Sequence, residues 1–116
     1  MKPRIYHNPR CSKSRATLEL LHARGIEPEI IEYLKTPPAT ETLEELLGKL
    51  GLEARDIVRT GEAEFKEADI DLSAADDDTI LELIAEHPKV LQRPIVETEQ
   101  AARIGRPPEQ VLELFE

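Results

Sequence analysis

Cys11 is the one cysteine in a chain of 116 residues, and no other side chain is as well suited to nucleophilic or redox work. It follows Asn8-Pro9, a turn signal, and precedes a run with helical periodicity, so it stands at the expected start of a helix. Unpaired backbone N–H groups and the helix dipole both favour an anion there, so the thiolate gains over the thiol. Arg10, Lys13 and Arg15 add three cations with no acid among them. His7, four residues before the cysteine, can add a donor or a cation, and Ser14 a first-turn hydrogen bond. Each of these effects lowers a thiol pKa and frees the nucleophile. A lone cysteine is more often an inert core residue. The charged neighbours and the helix start reverse that preference here. For His7 the end of a strand, and for Ser14 an ordinary polar helix position, explain the residue equally well.

A turn feeding a helix start also suits a phosphate-like oxyanion. It is not a P-loop, because the glycines and the Lys-Ser/Thr ending are missing. The Cys-x5-Arg loop of cysteine phosphatases needs an arginine where Thr17 stands. The local chemistry is a thiolate beside an oxyanion site.

Composition narrows the rest. One cysteine excludes an intrachain disulfide and an all-cysteine zinc site, and no metal site is expected. Fifteen basic against twenty-four acidic residues give a net charge of −9, which argues against nucleic acid and against anionic membrane surfaces. No stretch approaches the roughly 20 apolar residues that span a bilayer, and MKPRIYHNPR lacks the apolar segment of a secretory signal. A cytoplasmic monomer is expected, folded as a single domain over 1–116. Four aromatic residues (Tyr6, Tyr33, Phe65, Phe115) leave the core to Leu, Ile, Val and Ala.

The elements that must position Cys11 can be read from periodicity and punctuation. Lys2 to His7 reads as a strand, Cys11 to Arg24 as a helix closed by Gly25, and Glu29 to Leu34 as a second strand. A parallel pair joined by one helix is the natural closure of such a β-α-β start. Leu43, Leu46, Leu47 and Leu50 form one helical stripe ended by Gly51. Ala54 to Val58 adds a short helix, and Ile80 to His87 a further one, with Asp76 to Asp78 at its N-terminus. Pro88 prevents its continuation. Pro94 to Thr98 and Ala101 to Ile104 read as a hairpin. Pro107-Pro108 opens a last helix whose apolar side is Val111, Leu112 and Phe115. The sum is an α/β order: β-α-β, a helical insert at about 39–88, then β-β-α.

IYHNPRCSKSR with TLELL, EPEIIEYLKTPP, QRPIVET and ARIGRPPEQVLELF together resemble the glutaredoxin-coupled arsenate reductase family in its shorter branch. The resemblance runs from about Ile5 to Phe115. It implies a thioredoxin-like fold with a four-stranded mixed sheet. It places the family's nucleophile on Cys11, its thiol-tuning residues on His7 and Ser14, and its oxyanion-binding arginines on Arg59, Arg93 and Arg106. It also implies a cis Arg93-Pro94 bond. The implied activity converts arsenate to arsenite through a Cys11 thiolate adduct. The resemblance implies no bound cofactor, with glutathione as the co-substrate and glutaredoxin as the partner. Guanidinium forks suit this task, because a thiolate attacking an oxyanion brings two negative charges together. Two other classes share the fold. One is the redox-related transcription regulators that bind RNA polymerase, whose Cys-x-x-Cys switch is precluded by Ser14. The other is glutathione-dependent thiol-transfer proteins without arsenate activity.

Overall fold

Ile5, Tyr6 and His7 are all buried, as a strand covered on both faces must be. In the computed structural model, which describes residues 2–116, they belong to β1 (Arg4–His7), an inner strand of a four-stranded sheet ordered β2-β1-β3-β4. β2 (Glu29–Glu32) runs parallel to β1, with Ile5 opposite Ile30. β3 (Ile95–Glu97) and β4 (Ala102–Ile104) are antiparallel neighbours on the other side, with Ile5 opposite Val96 and Ile95 opposite Ile104. The sheet is therefore mixed and the fold α/β and thioredoxin-like, as the resemblance implies. The Lys35 and Thr36 N–H groups both donate to the Glu32 carbonyl at 2.9 Å, so β2 ends in a turn at Glu32 before reaching Leu34.

The chain divides into two compact units, one comprising the residues through Thr36 together with Arg93–Glu116, the other Pro37–Gln92. In the first, α1 (Ser12–Ala23) joins β1 to β2. Its end is a Schellman motif: Ile26 N–H donates to Leu21 O and Gly25 N–H to His22 O, both at 3.0 Å, with Gly25 at φ +74°. Leu21 packs with Ile5, Val96 and Val111, and Leu18, Ile26, Leu114 and Phe115 close around them. The last segment, Pro108–Phe115, is a 3₁₀-helix rather than an α-helix. With three residues per turn, Val111 and Leu114 eclipse one another, so Leu114 takes the inward place expected for Leu112.

In the second unit, α2 (Thr40–Leu50) buries Leu43, Leu46 and Leu47 and ends at Gly51 with φ +69°. A 3₁₀ turn, Ala54–Ile57, follows, then α3 (Ala63–Ala68) and α4 (Asp77–Glu86). Asp76 caps α4, its carboxylate accepting the Thr79 N–H at 2.9 Å. Pro88 ends α4 as expected, but the chain continues as a 3₁₀ turn, Pro88–Val90, before Leu91 bridges to Val58. Among the described residues no helix is long and apolar enough to cross a membrane.

Candidate active site

His7 is the last residue of β1, at the strand's C-terminal end, and the chain must then reverse into α1. Asn8 makes that turn. Its side-chain oxygen accepts the Arg10 N–H and its carbonyl accepts the Cys11 N–H, both at 3.0 Å. Cys11 is the N-cap of α1, with extended backbone at φ −92° and ψ 124°, and its carbonyl accepts the Arg15 N–H at 3.0 Å. No acidic residue lies in the first turn of this helix.

The half-buried sulfur is under opposing influences. Burial, the largest single effect, pushes the Cys11 thiol up. The backbone N–H of Ser14, the Arg93 side chain, the Lys13 N–H and the charge on Arg93 all act the other way, and their sum holds the thiol below its ordinary value. Arg106 Nη2 lies 3.8 Å from Cys11 Sγ. The two arginines are tied together, since Arg106 Nε donates to the Arg93 carbonyl at 2.7 Å. Arg93-Pro94 is cis, and so is Arg106-Pro107, which nothing in the sequence reading anticipated.

The expected local cations do not act as the sequence suggested. Arg10 and Lys13 are exposed, where water screens them. The Arg15 guanidinium donates instead to the Pro9 carbonyl at 2.9 Å. Lys13 acts on the sulfur through its backbone rather than its ammonium. His7 also departs from the cation it could have been. Burial first, and then the positive charge of Arg15, lower its pKa against the opposing pull of Glu32, so the ring is neutral near pH 7. Its Nδ1 lies 2.6 Å from Ser14 Oγ, which also accepts the Asn8 N–H at 3.0 Å. His7 therefore reaches the cysteine turn through Ser14.

Arg59 belongs to the Pro37–Gln92 unit, where its N–H donates to Val90 O at 2.6 Å and its Nη1 pairs with Glu62 at 3.6 Å. The structure brings Arg93 and Arg106 to the sulfur, while the place of Arg59 at an oxyanion rests on the family resemblance. Gly105 was missed. A Cβ there would stand 2.6 Å from Thr17 Oγ1 and 2.8 Å from Pro94 Cγ. Thr17 cannot easily give way, because its hydroxyl is held by the Lys13 carbonyl at 2.8 Å. Gly105 N–H in turn donates to Pro94 O at 2.9 Å, so this close approach sets Arg106 against α1. Its only trace in the sequence is a glycine directly before Arg106. Among the described residues no group of three or more His, Cys, Asp or Glu is placed to hold a metal ion.

A thiolate beside two guanidinium groups can attack an electron-poor centre that carries negatively charged oxygens. Comparison with known proteins points in a consistent direction. The model of the ArsC family matches residues 6–114. The arsenate reductase of Neisseria meningitidis serogroup A is 47% identical over 93% of this chain and 93% of its own. The uncharacterized protein YfgD of Escherichia coli (strain K12) is 48% identical, over 96% of this chain and 94% of its own. The solved structure of an arsenate reductase from Vibrio cholerae superposes with a TM-score of 0.93 at 51% identity, covering 97% of each chain.

Proposed function

This chain belongs to the ArsC family, and on that footing we propose that it is an arsenate reductase whose nucleophile is Cys11. The observation that carries the reading is the approach of Arg106 Nη2 to within 3.8 Å of Cys11 Sγ, beside an Arg93 that favours the ionised thiol. Arsenate is a tetrahedral oxyanion with one to two negative charges near neutral pH. Arg93 and Arg106 offer it planar forks of donors that never deprotonate, and Arg59 is assigned as the third. Positive charge at this point offsets the repulsion between thiolate and oxyanion and stabilises the charge that builds on the oxygens during attack. His7 and Ser14 hold the turn that presents the sulfur.

The Cys11 thiolate attacks As(V), and one oxygen gains protons and leaves as water, giving a thiol-arsenate adduct. The chain has no second cysteine to complete the reduction. Glutathione attacks the Cys11 sulfur of the adduct, the S–As bond breaks with its electron pair going to arsenic, and arsenite departs. A glutaredoxin thiol then takes the glutathione from the Cys11 disulfide and frees the Cys11 thiolate. Overall, arsenate and two thiols become arsenite, one disulfide and water. A cytoplasmic monomer suits this chemistry, because that compartment keeps glutathione reduced.

In an assay coupling glutathione, glutaredoxin and glutathione reductase, wild-type protein should drive arsenate-dependent oxidation of NADPH, and Cys11→Ser should abolish it. Undiminished turnover by that variant would end the proposal.

A further inference from the structure

Arg10 is left unexplained by the chemistry at the sulfur, yet it lines a cavity of about 200 Å³ on the turn that carries Cys11. His7, Asn8, Pro9 and Arg10 form part of its wall, and Glu32 at the end of β2 with Leu34 and Lys35 in the turn after it contribute the rest. All of these residues belong to one unit. After the tight turn at Glu32, Leu34 is 38% exposed and lines the cavity, and Pro9 supplies a second apolar surface. Charges flank this apolar lining. Arg10 and Lys35 are cationic, and Glu32 is the one acid, with its Oε1 3.6 Å from Lys35 Nζ. An apolar pocket with a few charged groups is the usual build of a small-molecule site, and at about 200 Å³, against the roughly 300–1,000 Å³ of such sites, this one holds part of a tripeptide and leaves the rest in solvent. The cavity is too small for an α-helix of a partner protein, which is about 10 Å across.

We infer that this cavity is the docking site for the thiol co-substrate, a small peptide thiol with two carboxylates and one ammonium group. Two cations and one carboxylate on the protein face two carboxylates and one ammonium on the ligand. Glutathione has that charge pattern, and its short uncharged middle suits Pro9 and Leu34. The identity of the ligand rests on the reductase reading; the cavity and its charge pattern do not.

The full-length protein, labelled with ¹⁵N, is titrated with S-methylglutathione, which binds without redox chemistry. Saturable shifts should centre on the amides of Arg10, Leu34 and Lys35. The surface double variant Arg10→Glu/Lys35→Glu, shown folded by its amide spectrum, should bind about tenfold or more weakly. In the coupled assay the same variant should raise the KM for glutathione by a similar factor, with a much smaller change in the KM for arsenate. Absence of saturable shifts, shifts gathered instead around Pro94 and Ile95, or equal affinity in the double variant would each overturn the site. The two readings fail separately. Binding at this cavity by a protein that reduces no arsenate would sink the reductase and leave the site. Arsenate reduction without binding here would do the reverse, and would direct attention to the protein thiol donor.

Discussion

The Ser14 N–H, Arg93 and the Lys13 N–H together overcome the upward push of burial on the Cys11 thiol, and the side-chain charges of Arg10, Lys13 and Arg15 are not among the main causes. The difference is measurable. Alkylation by iodoacetamide, followed against pH, should give wild-type Cys11 a midpoint below the ordinary 9.0 for a thiol. Arg93→Ala should move that midpoint upward and slow alkylation at pH 7 several-fold, because less thiolate is present. Lys13→Ala keeps its backbone N–H and should leave the midpoint in place. A larger effect from Lys13→Ala than from Arg93→Ala would restore the local-charge account. The place of Cys11 at a helix start was legible, since turn residues and periodicity mark it within a few positions. Its cationic partners were not legible from spacing. Arg106 lies 95 residues away from Cys11, and no local pattern joins them; only the family resemblance pointed there.

At the scale of elements, legibility followed the apolar stripe. α2 and α4 each bury a helical row of Leu and Ile, and both were read close to their bounds. α3 was not read at all: its six residues bury none of their side chains, so no periodic signal exists. The last segment was read as helix but not as 3₁₀, because Val111, Leu114 and Phe115 fit either winding until packing against Leu21 and Val96 chooses one. Gly105 belongs to this scale too, as the contact point between the loop after β4 and α1. Gly105→Ala should destabilise the protein by about 1–3 kcal/mol in urea unfolding, the usual cost of overpacking. It should also slow Cys11 alkylation, because displacing this loop moves Arg106 away from the sulfur. A variant of wild-type stability and reactivity would show that the close approach relaxes freely.

Across the whole molecule, the buried polar group on β1 and β3 links stability to pH. The Tyr6 hydroxyl donates to Glu97 Oε1 at 3.4 Å, and Arg4 Nη1 lies 3.6 Å from the same oxygen. Burial, and then the charge of Glu97, push the Tyr6 phenol up to about 12. The folded state therefore keeps a proton that the unfolded chain releases near pH 10. Stability should be unaffected by this group below about pH 10, and should fall as pH rises from there towards 12, by at most about 1.4 kcal/mol per unit. Tyr6→Phe should remove that part of the slope, measured as the difference between the two proteins in chemical unfolding. Parallel pH profiles for the two would place the phenol outside the linkage.

The one-dimensional chain determined most of the helices and strands, the helix-start setting of its single thiol and, through its motifs, the family. These depend on neighbours three or four positions apart and on turn residues, which the order of amino acids states directly. Tertiary structure alone decided the order of the strands, the close approach at Gly105, and the meeting of Arg93 and Arg106 at the sulfur. Those depend on which distant segments come to share space, and packing rather than any period along the chain sets that.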